Sequence, residues 1–133
     1  MILIDTGVII HAAGTDHLAK APSAAMLRSV ASGDVEATTD AHILGEILQH
    51  YRSLGRPDDA KRVYDLVRQI FPHVLPVTAT VMDRARRILD ADPRLHARNA
   101  IHAAIVMTEG MEAVCSYDRG FDRIMGIVRR EPR

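Results

Sequence analysis

Cysteine is nearly missing: Cys115 stands alone among 133 residues, so no internal disulfide can form. A chain of this size buries about two-thirds of the surface it exposes when unfolded, and needs no staple or structural metal to fold. Tryptophan is absent, with three tyrosines and two phenylalanines, too few for a stacking platform for single-stranded RNA. No apolar run approaches the roughly 20 residues that span a bilayer. The opening Met1-Ile2-Leu3-Ile4-Asp5 has no basic region and reaches a carboxylate at once. A secretory leader is therefore not expected there, and a soluble cytoplasmic protein is. Charge of one sign is lacking too, since 17 basic residues balance 17 acidic ones. A globally basic nucleic-acid binder is not indicated. There is no Gly-rich dinucleotide fingerprint or P-loop, no Gly-x-Ser-x-Gly elbow, no His-Glu-x-x-His and no paired-Cys zinc pattern.

What is present is one domain's worth of ordinary globular sequence, residues 1–133. Residues 1–80 carry seven basic and nine acidic side chains, and residues 81–133 carry ten and eight. Fifteen of the 17 basic residues are Arg, which grips phosphate in a bidentate way that Lys cannot. A bias towards Arg codons explains the same count.

Short apolar runs alternate with helical patterns. Ile2-Leu3-Ile4 reads as a strand ending at Asp5, and Ser23–Ala31 as a helix stopped by Gly33. Val35–Thr39 is a second strand candidate. Asp40 then caps a helix with Ile43, Leu44, Ile47, Leu48 and Tyr51 on one face. Pro57 opens a helix carrying Val63, Leu66, Val67 and Ile70. Val74–Val77 is a strand candidate weakened by Pro76. Thr80 with Asp83 resembles a capping box for a helix to about Leu89. A further helix is expected from about Ala97 to Glu109, a strand over Ala113–Ser116, a short helix over Gly120–Met125 and a last strand over Ile127–Arg129. The alternation predicts an α/β layer fold with a short, mainly parallel sheet.

Parallel sheets bind ligands at the carboxyl ends of their strands. Two such ends carry aspartate: Asp5, beside Thr6, and Asp118, near Ser116. Either hydroxyl is suited to orient a carboxylate. One strand-end Asp is explained by turns and caps; two are stronger evidence for a site, with capping by Asp118 left as the other reading. Asp122 either shares a helical face with Asp118 or is solvated and paired with Arg119 or Arg123. Glu46 lies beside the apolar face of its helix, so it either reaches solvent or points into a cleft holding a cation. Carboxylates that converge repel each other unless a divalent ion sits among them. Oxygen-rich sites suit Mg²⁺ or Mn²⁺, which activate water for phosphodiester hydrolysis. Arg98, Arg119 and Arg123 lie close enough in sequence to contact phosphate or to pair with local acids.

Four segments carry a family resemblance: Ile-Leu-Ile-Asp-Thr-Gly-Val-Ile-Ile at the start, Leu-Gly-Glu-Ile-Leu around Glu46, Ala-Arg-Asn-Ala-Ile-His-Ala-Ala around Asn99 and Cys-Ser-Tyr-Asp-Arg-Gly-Phe-Asp around Asp118. In order and spacing they resemble the PIN-domain ribonucleases, and most closely the VapC-type toxins of toxin–antitoxin pairs. The resemblance implies a three-layer α/β/α sandwich with a parallel sheet of four or five strands. It implies Mg²⁺- or Mn²⁺-dependent endonuclease action on structured RNA such as tRNA or ribosomal RNA. The implied acidic site is Asp5, Glu46, Asp118 and often Asp122, with Thr6 and Ser116 in support and with Asn99 and Asp122 completing or flanking a second metal position. A homodimer and a cognate VapB-type antitoxin, whose tail enters the acidic groove, are implied as well.

One position departs from the pattern. Asn99 stands where the family usually has Asp, with His102 one turn later. Asn keeps a carbonyl ligand but loses a unit of charge, which favours weaker metal binding. Three explanations stay open: an enzyme that tolerates Asn, a catalytically impaired module that binds RNA or antitoxin, or a replacement made to tame a toxic protein.

Overall fold

The computed structural model describes all residues, 1–133. Strand β1, Ile2–Ile4, runs directly into helix α1, Thr6–Ala13. Helix α2, Lys20–Ala31, leads to β2, Ala37–Thr38. Three helices follow: α3, Ala41–Ser53; α4, Pro57–Ile70; and α5, Ala79–Asp90. Helix α6, Ala97–Thr108, precedes β3, Ala113–Cys115. A 3-10 turn, Arg119–Arg123, and strand β4, Arg129–Arg130, complete the chain.

The four strands form one parallel sheet in the order β2-β1-β3-β4. Strand period two sorts the side chains to opposite faces. Ile2, Ile4, Ala113 and Cys115 face a core shared with α1 to α4, including Val8, Ile43, Ile47, Val63 and Val67. Leu3 and Val114 face the other way, into a core with Val81, Ala85, Ile101, Ala104, Ile105 and Phe121. The expected three-layer α/β/α sandwich is therefore present, with two cores separated by a sheet buried on both sides.

Helix α6 explains much of the site. Asn99 through Val106 are all buried. A helix apolar all round must lie inside, and its run of alanines (Ala100, Ala103, Ala104) lets neighbours approach closely. It carries two polar side chains inward, Asn99 and His102. Gly110, at φ 62, turns the chain from α6 towards β3.

Several expectations shift. Helix α1 was not foreseen, because Gly7-Val8-Ile9-Ile10 reads as strand by propensity. The side chain of Asp5 accepts the N–H of Thr6 and caps it as helix, while Val8 and Ile9 bury. Helix α2 begins three residues before Ser23, since Pro22 sits in its first turn, where a missing N–H costs nothing. Thr78, not Thr80, caps α5, accepting from Val81 N at 3.2 Å. Of Val74–Val77 only Leu75 pairs, in a single bridge with Asp40. The last strand falls at Arg129–Arg130 rather than Ile127–Arg129. The α3 and α4 faces are core, as Tyr51, Val63 and Val67 are buried, but Leu48, Leu54 and Leu66 remain exposed.

Candidate active site

The chain leaves β1 towards β2 on one side and returns as β3 on the other. The crevice between the carboxyl ends of β1 and β3 is thus the topological switch point, where open α/β sheets take their ligands. A cleft of about 390 Å³ opens there, lined by Asp5, Thr6, Gly7, Ile10, His11, Glu46, His50, Arg98, Ser116, Tyr117 and Asp118.

Asp5 is delivered by the end of β1 and is doubly held. One carboxylate oxygen accepts from Thr6 N at 2.8 Å and the other from Ser116 Oγ at 2.6 Å. Burial pushes its pKa above the ordinary carboxylate value, against the pull of His102 and of these two hydrogen bonds. Ser116 is a hinge between the two strand ends. Its hydroxyl donates to Asp5 and accepts from Asp118 N at 2.9 Å.

Asp118 opens the 3-10 turn, accepting from Gly120 N at 2.8 Å. Its second oxygen accepts from Asn99 Nδ2 at 3.0 Å and Arg98 Nη2 at 3.4 Å. Burial raises its pKa, but the donors Gly120, Asn99 and Arg98 outweigh that and hold the carboxyl below the usual range. Phe121, wholly buried one residue beyond Gly120, nails this turn to the second core; burying such a ring contributes about 1.5–3 kcal/mol. A Cβ on Gly120 would stand 2.7 Å from Asn99 Nδ2, so only glycine leaves room for the Asn99–Asp118 hydrogen bond.

Glu46 resolves to the cleft, not the solvent edge. Its carboxylate accepts from His102 Nε2 at 2.8 Å. His102 is fully buried, and its Nδ1 donates to Asp40 at 2.6 Å. Burial alone would lower this imidazole, but the Asp40 and Glu46 carboxylates bonded to it win and push it up to about 10. His102 Nε2 also lies 3.8 Å from Asp5, so one imidazolium faces two cleft carboxylates. Sequence reasoning gave Asp40 only its cap, which it does provide to Ile43 N at 3.1 Å. The signal it missed was a His on the buried face of α6, opposite the Asp that caps α3 and a Glu within it.

Asp122 is not brought to the cleft. It accepts from Arg129 at 3.0 and 3.3 Å and is half-exposed. The reason is geometric. The turn is 3-10 with three residues per turn, so four positions do not return to one face, and Arg129 rather than Arg119 or Arg123 captures the carboxylate. Arg98 lines the cleft, whereas Arg119 and Arg123 do not.

The donor set fits a hard divalent ion. Asp5, Glu46 and Asp118 offer carboxylate oxygens around one cleft, and the buried Thr6 hydroxyl on its wall has no hydrogen-bond partner within the protein. Asn99 fits this set as a neutral donor to Asp118 rather than as a further charge.

Residues 2–127 match the PIN domain family. The chain is 33% identical over 129 residues to VapC ribonuclease Mb1869c of Mycobacterium bovis, covering 97% of this chain and 98% of that protein. Identity and coverage are the same for ribonuclease VapC13 of Mycobacterium tuberculosis, 33%, 97% and 98%. Among solved structures, the fold superposes on Mycobacterium tuberculosis VapC20, a sarcin–ricin loop cleaving toxin, with a TM-score of 0.80 at 21% identity, over 99% of this chain and 100% of that one. FitAcB from Neisseria gonorrhoeae follows at 0.75 and 18%, covering 99% and 98%. With a family match that spans both strand-end aspartates and relatives alike over nearly their whole length, this chain is a PIN-domain protein of the VapC ribonuclease family.

Proposed function

We propose that this protein is a Mg²⁺- or Mn²⁺-dependent endoribonuclease, the toxin of a toxin–antitoxin pair. The observation that carries the reading is the meeting of Asp5, Glu46 and Asp118 in one cleft at the switch point of the sheet. These three carboxylates hold the ion, directly or through water. When bound, it activates water and offsets the charge that develops on the phosphodiester.

The chain's own residues set the geometry. Ser116 locks Asp5 and the backbone of Asp118 into one unit. Asn99 and Arg98 fix the rotamer of Asp118. Arg98 is exposed enough to turn from Asp118 to a substrate phosphate as RNA enters. Hydrolysis leaves a 5′-phosphate and a 3′-hydroxyl. The substrate class is structured RNA, tRNA or ribosomal RNA, which is recognised largely by its shape and its backbone.

The partner is a cognate VapB-type antitoxin that places an Arg among the cleft acids, and the place of action is the cytoplasm. No helix is long and apolar enough to cross a membrane. A homodimer is part of this reading, supported by the exposed Leu48, Leu54 and Leu66 on α3, α4 and the turn between them; a sedimentation coefficient of a monomer at micromolar concentration removes it.

Asn99 supports a second reading, an RNA- or antitoxin-binding module without efficient cleavage. The test is to incubate the protein and its Asn99→Asp variant with total tRNA and ribosomal RNA, with Mg²⁺ or Mn²⁺ and with chelator, and map the ends. Discrete metal-dependent cuts by the natural chain support the ribonuclease. Cuts by the variant alone favour the impaired module.

A further inference from the structure

Helix α3 carries His42 and Glu46 four residues apart, on one face. His102 on α6 meets them from the other side. One ligand atom from each of these three residues lies within 4.8 Å of the others. Glu46 Oε1 is 3.5 Å from His42 Nε2 and 2.8 Å from His102 Nε2. The two imidazole rings have centroids 5.3 Å apart and are tilted by 51°. Around a tetrahedral ion with bonds near 2.0–2.1 Å, neighbouring ligand atoms stand roughly 3.4 Å apart. The cluster therefore closes on an ion with side-chain shifts of well under an ångström at the shorter contacts and a swing of the half-exposed His42.

Two further features suit a metal rather than a packing accident. His102 is buried and its Nδ1 is anchored at 2.6 Å to Asp40, which is itself fully buried. A carboxylate on the far nitrogen of an imidazole is the usual second layer of a metal-bound His, fixing ring and tautomer. His42 and Glu46 keep 35% and 20% side-chain exposure, so an ion reaches the cluster from solvent. The oxygen centre of the cleft needs none of the nitrogen ligands.

We propose that His42, Glu46 and His102 form a second metal site, selective for a nitrogen-seeking divalent ion such as Zn²⁺ or Co²⁺. Two imidazoles and one carboxylate with an open position is a donor set that Mg²⁺ does not seek and that Zn²⁺ does. The ion takes the place of the Nε2 proton of His102, which leaves to solvent. Because Glu46 serves both centres, occupancy of this site draws it from the cleft and inhibits Mg²⁺-supported cleavage. The binding rests on the cluster's geometry alone; the inhibition rests on the ribonuclease reading.

The experiment is titration of the full chain with Co²⁺, following the visible ligand-field absorption of low-coordinate cobalt, in the natural protein, His42→Ala and Asp118→Asn. The expected result is a saturable band in the natural protein, displaced by Zn²⁺. Loss of a direct ligand costs no less than the roughly 10–100-fold that loss of a second-layer partner does, so His42→Ala weakens binding by at least about tenfold. Asp118→Asn leaves the band intact, and His42→Asp, which returns a ligand, recovers part of it. Equal binding by His42→Ala, or loss of the band in Asp118→Asn, assigns the ion to the oxygen centre and overturns the proposal, as does the absence of any band. RNA cleavage enters none of these readouts, so failure of the ribonuclease reading leaves them interpretable.

Discussion

Replacing Asn99 by Asp tests how the cleft balances its charge without reference to any RNA. Asn99 Nδ2 donates to Asp118 at 3.0 Å inside a buried helix. Asn99→Asp puts a carboxylate oxygen where that donor was. Two unit charges at this separation repel by about 5–6 kcal/mol at an effective dielectric of 20. The protein escapes part of this by protonating one of them. For a carboxyl of ordinary pKa near 3.9, taking a proton at pH 7 costs about 4 kcal/mol, which caps the loss; at pH 5 the cap is about 1.5 kcal/mol. The sign follows: the new carboxyl binds its proton more tightly folded than unfolded, so the penalty is absent below about pH 4 and grows as pH rises towards its folded pKa. For a domain of this length each kcal/mol moves Tm by roughly 3–5 °C, so the variant melts on the order of 10 °C lower at pH 7 without metal. If the cleft carboxylates hold a divalent ion as proposed, saturating Mg²⁺ or Mn²⁺ raises the variant's Tm more than that of the Asn99 protein. The assay is thermal melting of both proteins from pH 5 to pH 8, in chelator and in each metal. Equal melting temperatures in chelator at pH 7 would refute the placement of position 99 beside Asp118, and equal metal responses would refute an ion held next to it.

Three other outcomes follow from the same geometry. Gly120→Ala pushes a methyl against Asn99 Nδ2 and costs about 1–3 kcal/mol of stability, read in urea, as overpacking does; a neutral result contradicts the packing. Cys115 is fully buried and its thiol is pushed up to about 12 by burial and the nearby Asp5, so iodoacetamide labels it only after unfolding. Labelling of the native protein at the rate of a free thiol speaks against the buried β3. His102, ordinarily near 6.5 and held at about 10 when folded, favours the folded state fully below pH 6.5, and that contribution drains away as pH rises towards 10. His102→Gln therefore flattens the stability profile over that window in urea melts; an unchanged profile means the imidazole is not held between Asp40 and Glu46.

Sequence periodicity revealed the sheet's alternation and five of the six helices, because their apolar faces repeat at helical spacing. Helix α1 was invisible, since its β-branched residues read as strand until Asp5 caps them and the core takes Val8 and Ile9. That Asp5 and Asp118 meet in one cleft was legible because both follow apolar strands, whose carboxyl ends adjoin in a parallel sheet. Glu46 was legible as a misplaced charge and, through the family resemblance, as a member of the acidic set. Its partner His102 sits 56 residues away, and nothing local in the sequence marks a contact of that range. Asp122 misled for the same reason in reverse: its spacing from Asp118 suits an α-helix, while the chain makes a 3-10 turn and Arg129 takes the carboxylate. The His42–Glu46–His102 cluster and the Arg98–Asp118 contact likewise needed the packing of α3, α6 and β3 to appear.

The proposed metal centre draws one carboxylate from the end of each central strand, Asp5 and Asp118, and a third, Glu46, from α3. The decisive measurement is cleavage of a tRNA and ribosomal RNA panel by the chain as it stands and by Asp5→Asn, Glu46→Gln and Asp118→Asn, with Mn²⁺ or Mg²⁺ and with chelator. Removing one preorganised electrostatic group from an active site costs about 10²–10³ in rate. Each of the three variants is expected to lose at least that much while melting as a folded protein, and chelator is expected to silence the natural chain. Undiminished cuts by Asp5→Asn, or cuts that persist in chelator, would rule out a metal centre built on these carboxylates.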